Sequence, residues 1–181
     1  MGPVYRELET HRLVLRRPEP DDAARIFRAF GSDPEVTRFL TWRPHRSIAD
    51  AEAAIAQRIQ RLSDGTEHSW IVQRASHREA IGIVSAWFRG TEAELGFVLA
   101  RSHWGRGLMS EAVLAVTEWA LAGPTVTRVW ATCDVENLAS ARVLEKAGLV
   151  NCGAFEREIV RPNLSPVPRP GLLFEVRKPA D

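Results

Sequence analysis

Apolar and polar residues alternate with two different periods along the chain, and each period predicts one kind of element. The segment RLVLRR, from Arg12 to Arg17, alternates with a period of two and predicts a β-strand. A helix is predicted to begin at Pro20-Asp21-Asp22, because apolar side chains follow at helical spacing at Ile26, Phe27 and Phe30. A second helix is predicted after Ser47, where an acid follows three residues later and apolar residues recur at Ile48, Ala51, Ile55, Ile59 and Leu62.

The middle of the chain has the pattern of an antiparallel meander, with apolar segments separated by short polar turns. Strands are predicted at 68–74, 80–88 and 93–100. Further along, the pattern predicts a helix from Ser110 to Ala122, a strand over 128–135, a helix over 137–148 and a strand over 172–178. These elements indicate a mixed α/β fold. Because no repeat and no linker rich in glycine or serine divides the chain, we expect one domain over residues 1–181.

Composition restricts the function to classes that need no strong overall charge. The chain has 24 basic and 23 acidic residues, so no net field attracts it to nucleic acid or to an anionic membrane. No apolar run approaches the length of a membrane span, and no segment near Met1 resembles a signal peptide. Cys133 and Cys152 fit neither a metal site nor a disulfide framework. We therefore expect a cytoplasmic protein without a metal, in which any anion site is local.

Such a local site is predicted in the segment RSHWGRGLMSEAV, from Arg101 to Val113. Its two glycines lie between a predicted strand and a predicted helix, where unpaired N–H groups and the helix dipole favour a phosphate. A P-loop would require Lys-Ser/Thr after Gly107, but Leu108-Met109 follow. A dinucleotide-binding fold would require a third glycine where Ser110 stands, and a meander precedes the motif. A tight turn without a ligand is the remaining alternative.

The stretch WGRGLMSEA, followed about thirty residues later by NLASARVLEKAGL, resembles the GCN5-related N-acetyltransferase superfamily. The similarity is greatest to its ribosomal-protein-alanine acetyltransferase-like branch, and it extends to THRLVLRRPEPDDA, SDPEVTRFL and PNLSPVPRP. Trp104 and Met109 depart from the consensus of the pyrophosphate turn, which runs from Trp104 to Met109. The resemblance implies a single domain with a central mixed, mostly antiparallel, strongly twisted sheet. That sheet is splayed between its fourth and fifth strands and flanked by helices.

The resemblance also implies acetyl-CoA as the acetyl donor. Its pantetheine would pair with the backbone of Phe97 to Leu99, and its pyrophosphate would take N–H groups between Gly105 and Ser110. Asn137 corresponds to the family asparagine that binds the pantetheine amide, and it also suits a helix N-cap. Glu111 is expected to complement the helix dipole. The implied cofactor-binding residues are Phe97, Val98, Leu99, Trp104, Gly105, Arg106, Gly107, Leu108, Met109, Ser110, Asn137 and Ser140.

The resemblance assigns fewer catalytic residues than cofactor-binding residues. The family's usual acid is a tyrosine, but Leu144 occupies its position, and the one tyrosine of the chain is Tyr5. Ser140 corresponds to a serine that binds the thiolate in this branch, with a bound water or a structural serine as alternatives. Glu94 is the expected general base, a solvated strand residue being the alternative, and Glu92 and His68 are weaker choices. The oxyanion would bind the N–H of Val98 or Leu99.

We therefore expect an N-acetyltransferase that moves an acetyl group from acetyl-CoA to a primary amine by direct transfer in a ternary complex. The acceptor would be a protein N-terminus or a small-molecule amine. A non-catalytic acyl-CoA-binding module of the same fold is the alternative that the missing tyrosine allows. Trp42, Trp70 and Trp87 are expected to line the acceptor groove or to belong to the core. The resemblance is also compatible with a homodimer.

Overall fold

A computed structural model describes residues 2–179, apart from the side chains of 156–158, so residues 1, 180 and 181 of the predicted domain lie outside the described residues. The strands are β1 (Leu8–Glu9), β2 (Leu13–Arg16), β3 (Glu67–Arg74), β4 (His77–Arg89), β5 (Glu92–Leu99), β6 (Arg128–Asp134), β7 (Val150–Val160) and β8 (Pro168–Arg177). The helices are α1 (Asp22–Ile26), α2 (Pro34–Thr37), α3 (Ile48–Ser63), α4 (Leu108–Ala122) and α5 (Leu138–Lys146). A π-helical turn, Phe27–Gly31, continues α1.

The strands described between residues 2 and 179 form one mixed sheet in the order β1-β2-β3-β4-β5-β6-β8-β7. Only β5 and β6 are parallel neighbours in this part of the chain, and the predicted meander of β3, β4 and β5 is confirmed. The β5–β6 pairing runs from Glu92↔Arg128 to Leu95↔Ala131. Beyond it, β5 continues to Leu99 and β6 to Asp134 as separate strands. The predicted splay is therefore present, and it opens a gap in the sheet. It lies between β5 and β6 in this numbering because the unpredicted β1 adds one strand to the count.

The two faces of the sheet are covered by different helices, so the molecule has two cores. Alternation along β3 places Trp70 in the core under α4 and Ile71 in the core under α1 and α3. The same alternation along β5 directs Leu95 to the α4 side and Val98 to the α3 side. Residues of β5 therefore contribute to both sides of the sheet beside the gap.

The helix boundaries follow from local capping. Ser47 and Asp50 form the predicted capping box at the start of α3. Helix α4 begins at Leu108, two residues before the predicted start, because Gly107 takes the left-handed conformation at its N-cap. Asn137 caps α5 by accepting the N–H of Ser140. Each cap fixes the start of a helix. The caps of α4 and α5, at Gly107 and Asn137, lie beside the gap.

Some elements differ from those that the sequence pattern predicts. Strand β7 was not predicted, because Asn151 to Ala154 are all exposed and their polarity does not alternate. It forms because β8, which begins four residues before the predicted Leu172, offers it a partner, with Ala154 opposite Leu172. The two-residue β1 and the four-residue α2 were not predicted by the pattern, since segments this short contain no complete period. Helix α2 lies in SDPEVTRFL, which the resemblance assigns to the first helices of the branch.

Candidate active site

A cleft of about 610 Å³ lies at the gap between β5 and β6. It is bounded by the end of β5, the loop before α4, the first turn of α4, one side of α5, and α2 with the segment that follows it to Leu40. The cleft is lined by all but one of the predicted cofactor-binding residues, namely Phe97, Val98, Leu99, Trp104, Gly105, Gly107, Leu108, Met109, Ser110, Asn137 and Ser140. Arg106 does not line it and lies exposed on the loop.

The glycine turn before α4 presents N–H groups at the end of this cleft. Gly105 and Gly107 have φ values of 73° and 71°, a conformation that disfavours residues with side chains. The N–H of Glu111 donates to the Gly107 carbonyl at 3.2 Å. The N–H groups that precede it at the helix N-terminus have no intrahelical acceptor, and they lie at the positive end of the helix dipole. This geometry suits a phosphate group.

A set of polar contacts fixes that turn to the edge of the sheet. The Glu111 carboxylate accepts hydrogen bonds from Thr10 Oγ1 at 2.5 Å, from the Arg12 N–H at 2.9 Å and from Arg12 Nε at 2.6 Å. Arg12 Nη1 also donates to the Arg106 carbonyl at 3.0 Å. Partial burial opposes ionisation of Glu111, but the bonds from Thr10 and Arg12 lower its pKa. Glu111 is therefore ionised, and its contacts with Thr10 and Arg12 hold the turn against the edge of the sheet. The sequence pattern did not predict these contacts.

The end of β5 directs only some of its backbone groups into the gap. The Ala100 N–H donates to the Ile81 carbonyl at 2.8 Å, so alternation along the antiparallel ladder turns the N–H of Val98 towards β4. The N–H groups of Phe97 and Leu99 then face the gap. Trp104 Nε1 donates to the Leu99 carbonyl at 2.8 Å, so this departure from the family consensus ties the turn to β5.

Helix α5 contributes an amide and a hydroxyl to the cleft. Asn137 Oδ1 accepts the Ser140 N–H at 3.1 Å, which leaves the Asn137 NH₂ group for a ligand. Leu144, at the family tyrosine position, is fully buried in the core. Tyr5 stacks on Trp70 with ring centroids 5.2 Å apart, on the α4 side of the sheet. The tyrosine position therefore supplies no hydroxyl, and Tyr5 lies away from the cleft. Ser140 is the hydroxyl of α5 that lines it.

A second cavity, of about 320 Å³, lies between α3 and the sheet. It meets the first cleft at Leu40, Phe97 and Val98, which line both. Trp42 and Trp87 line this cavity. Trp70 does not, because its side chain is fully buried in the core on the opposite face.

Buried charges form one wall of the second cavity. Arg58 Nη1 donates to Glu67 Oε1 at 2.6 Å, and Arg61 Nη1 donates to Glu67 Oε2 at 3.0 Å. Ser69 Oγ donates to Glu67 Oε1 at 2.6 Å. Burial would raise the pKa of Glu67, but Arg58 and these hydrogen bonds outweigh burial and lower that pKa. Glu67 is therefore an ionised and weakly basic carboxylate.

The predicted proton acceptors lie in different surroundings. Glu94 lies opposite Trp87 in the β4–β5 register and alternates onto the same face as Gly96 and Val98, although it lines neither cavity. Glu92 accepts a hydrogen bond from Arg128 Nη1 at 3.0 Å. His68 lies on the α4 face, with Nε2 3.0 Å from the Pro3 carbonyl oxygen. Glu92 alternates onto the same face as Glu94, but Glu94 lies opposite Trp87, which lines the second cavity, and is therefore the nearer of the two.

His45 is a further titratable group in the second cavity, and the sequence analysis did not identify it. Its ring stacks on Trp42 with centroids 5.1 Å apart and an angle of 17°. Burial lowers the pKa of His45, so the imidazole is neutral at neutral pH.

Arg58 and Glu67 were also missed, although the sequence contains a signal for each. Arg58 follows the buried Ala51 and Ile55 at helical spacing, and Glu67 alternates with Ile71 onto the same face.

Two structural findings limit other classes of site. Between residues 2 and 179, none of the helices combines the length and hydropathy that crossing a bilayer requires. The same described part of the chain contains no group of three His, Cys, Asp or Glu side chains placed to hold a metal ion.

A family model and the relatives with similar sequences all indicate an acetyltransferase family. Residues 12–150 match the family model described as the acetyltransferase (GNAT) domain. The protein named as uncharacterised N-acetyltransferase p20 from Bacillus licheniformis is 32% identical over an alignment of 155 residues that covers 83% of this chain and 83% of p20. YoaA from Bacillus subtilis (strain 168), also named as an uncharacterised N-acetyltransferase, is 30% identical over 153 residues, covering 83% of this chain and 86% of YoaA.

Solved structures share the fold at lower sequence identity. A GNAT-family acetyltransferase from Bacillus anthracis has a TM-score of 0.82 at 21% identity, covering 95% of this chain and 98% of that one. RimL, named as a ribosomal alpha-N-protein acetyltransferase and solved with coenzyme A, has a TM-score of 0.83 at 18% identity, covering 99% and 98%. The family model spans most of the chain, so the protein belongs to the GNAT family of acetyltransferases.

Proposed function

We propose that this protein transfers an acetyl group from acetyl-CoA to the primary amine of a peptide N-terminus or a small molecule, by direct transfer in a ternary complex. One observation supports this most strongly. The cofactor cleft and the second cavity meet at Phe97 and Val98. A thioester bound in the gap would therefore be open to attack by an amine from the second cavity.

The cofactor would be held mainly by backbone groups and by the helix N-terminus. The pyrophosphate would bind the N–H groups from Gly105 to Ser110, with the exposed Arg106 as a nearby cation. The pantetheine would pair with Phe97 and Leu99, and its amide would meet the NH₂ group of Asn137. CoA supplies the thioester that is cleaved.

The transfer itself requires a neutral amine. We assign Glu94 as the group that removes the amine proton, through water, because it lies on the sheet face of the acceptor cavity. The amine nitrogen then forms a bond to the thioester carbon, and the Leu99 N–H stabilises the oxyanion. As the C–S bond breaks, the Ser140 hydroxyl donates a hydrogen bond to the leaving thiolate. The nitrogen loses its second proton to that thiolate through water, which leaves a neutral amide and the CoA thiol, and Glu94 returns the first proton to solvent.

A non-catalytic acyl-CoA-binding module is the second candidate, and the buried Leu144 at the tyrosine position favours it. We place the protein in the cytoplasm because Cys133 and Cys152 are both free thiols, and free thiols suit a reducing compartment.

A thiol-release assay tests the proposal. Acetyl-CoA is incubated with the protein and with peptides, amino acids, polyamines or aminoglycosides, and free CoA is measured. The proposal expects amine-dependent CoA release together with an acetylated product of the matching mass. CoA binding without release for every amine would favour the non-catalytic module.

A further inference from the structure

The second cavity has an excess of positive charge among the residues that line it. Its lining includes two arginines, Arg58 and Arg61, and one carboxylate, Glu67. His45 also lines the cavity, and burial lowers its pKa, so it contributes no charge at neutral pH. The remaining lining is aromatic, aliphatic or neutral polar. The lining therefore contributes a net charge of about +1 at neutral pH.

Glu67 does not offer a site for a cation. Oε1 accepts from Arg58 Nη1 and Ser69 Oγ, and Oε2 accepts from Arg61 Nη1. The side chain is 1% exposed, so an incoming ammonium group could not contact it without disrupting these bonds. An acceptor with several positive charges would instead meet the two arginines, which disfavours polyamines and aminoglycosides.

Arg58 keeps one edge of its guanidinium group available. Its Nη1 binds Glu67, Ser69 and Ser85, the last at 2.8 Å. Throughout the described residues, Nε and Nη2 of Arg58 have no hydrogen-bond partner. These two nitrogens form the side edge of the guanidinium, which matches the two oxygens of a carboxylate. The Arg58 side chain retains 22% exposure, so the pocket that pairs it with Glu67 does not enclose it completely.

Arg61 lies one turn further along α3 and is more accessible. Its side chain is 43% exposed, and only Nη1 contacts Glu67 within the described chain. An anion beside Arg58 would therefore also be within the field of Arg61, because residues three apart on a helix lie on one face. The volume of about 320 Å³ is at the small end of ligand pockets, which favours a small acceptor or the first residues of a peptide.

We propose that the acceptor is an amine that also bears a carboxylate, and that this carboxylate binds the free guanidinium edge of Arg58, assisted by Arg61, while the apolar part of the acceptor lies between Trp42 and Trp87. This inference rests on the proposed acetyl transfer and adds the chemical class of its substrate. The carboxylate is either the α-carboxylate of a free amino acid or an acidic side chain near a peptide N-terminus.

The test compares acceptors that differ only in the carboxylate. Leucine, methionine and phenylalanine are assayed against their amides, and peptides with Asp or Asn at the second position form the other arm. In one of the two arms, we expect kcat/KM to be about tenfold or more higher for the carboxylate-bearing acceptor than for its neutral partner. This preference would oppose intrinsic reactivity. The α-amine of an amino-acid amide is less basic than that of the free amino acid, so a larger fraction of it is unprotonated and reactive at a given pH. The arm with the preference identifies the source of the carboxylate.

Variants assign the preference to the arginines. Arg61→Gln should lower kcat/KM for the carboxylate-bearing acceptor about tenfold and leave that of its amide unchanged. The matched control is Arg25→Gln, because Arg25 is an exposed arginine of α1 that lines neither cavity. This variant should leave kcat/KM unchanged for both acceptors. Because Arg58 also holds Glu67, it is replaced in the double variant Arg58→Gln/Glu67→Gln, whose melting curve is checked first.

The inference and the proposed function fail in different ways. Equal use of the paired acceptors in both arms, or a carboxylate preference that survives both Arg61→Gln and the folded Arg58→Gln/Glu67→Gln variant, would overturn the inference while acetyl transfer stands. If CoA binds but no acceptor turns over, N-acetylated amino acids and their amides are titrated calorimetrically into the CoA complex. Equal affinity, or no binding of either, then overturns the inference. A protein that does not bind CoA would refute the proposed function itself.

Discussion

The family's tyrosine position is occupied by a buried leucine, Leu144, and this substitution sets how the thiolate must leave. The pKa of a CoA thiol is near that of other thiols, so the thiolate is a tolerable leaving group at neutral pH. A hydrogen bond is then sufficient to stabilise it, and Ser140 lines the cleft where the thiolate would form. We therefore propose two separate roles, a serine that stabilises the departing thiolate and a carboxylate that removes a proton from the amine.

Ser140→Ala removes the hydroxyl and nothing else from the cleft. We expect kcat to fall about tenfold, with little recovery at higher pH, because water can replace the lost donor. Initial rates between pH 6 and pH 9 measure this. Ser76→Ala, an exposed serine in the β3–β4 turn, is the control and should retain full activity. A wild-type rate for Ser140→Ala would show that its hydroxyl has no part in thiolate departure.

Glu94→Gln preserves shape and removes basicity at the proposed base. Turnover at pH 7 should fall by about 10²-fold or more, while acetyl-CoA affinity is unchanged and higher pH restores part of the rate. His45→Gln is the comparison, because His45 is the other proton acceptor on that side of the sheet. A pH profile unchanged in Glu94→Gln but altered in His45→Gln would transfer the role to the imidazole.

At the scale of elements, the turn before α4 depends on both its glycines and its brace. Gly107 adopts φ 71° at the N-cap, and the Glu111–Arg12 pair fixes the turn from the other side. Neither feature involves the side chains at the consensus positions, so Trp104 and Met109 can differ from the family without loss of the N–H groups. The anion site is therefore a property of backbone shape.

Gly107→Glu should abolish CoA binding, because it strains the turn and adds a negative charge beside the phosphates. Calorimetric titration measures the loss. Gly65→Glu is a closely matched control, since Gly65 also has a positive φ, 68°, with open space around it in the α3–β3 turn. CoA affinity should be unchanged in that variant. Equal loss of binding in both variants would attribute the effect to general destabilisation.

Glu67 links α3 to the sheet, and its ionisation stabilises the folded protein. Because its pKa is lowered on folding, its contribution is present above the ordinary value of 4.5 and is lost as the pH falls through the lower folded value. Glu67→Gln should cost about 3 kcal/mol at pH 7, where it leaves two arginines unpaired, and it should flatten the pH dependence of stability below about pH 4.5. Urea unfolding at pH 7 and pH 4 measures both, with the exposed Glu118→Gln as control.

Much of this architecture could be predicted from the sequence, and the omissions have physical causes. The meander, α3 and the glycine turn have complete local patterns, so their prediction needed no tertiary information. Strand β7 depends on pairing with β8 and not on its own alternation. The charge cluster was missed because Arg58 and Glu67 are adjacent only after α3 folds onto β3.

At the scale of the whole molecule, a nearly neutral chain concentrates its charges in local sites. The formal charge is +1, yet the N-terminus of α4 is the predicted phosphate site, and Arg58 and Arg61 line the second cavity. The two sites meet at one end of β5, where the splay interrupts the sheet. The fold thus brings the proposed donor and acceptor sites together without a strong overall field.

The most direct test of this account is the melting temperature of the protein with and without CoA. At about 100 times the Kd, CoA should stabilise the folded state by about 2.7 kcal/mol. For a chain of 181 residues this corresponds to a rise of roughly 5–10 °C. Gly107→Glu should show no rise, and Gly65→Glu should show the full rise. An unchanged melting temperature of the wild-type protein at millimolar CoA would contradict the central claim that the gap between β5 and β6 is an acetyl-CoA site.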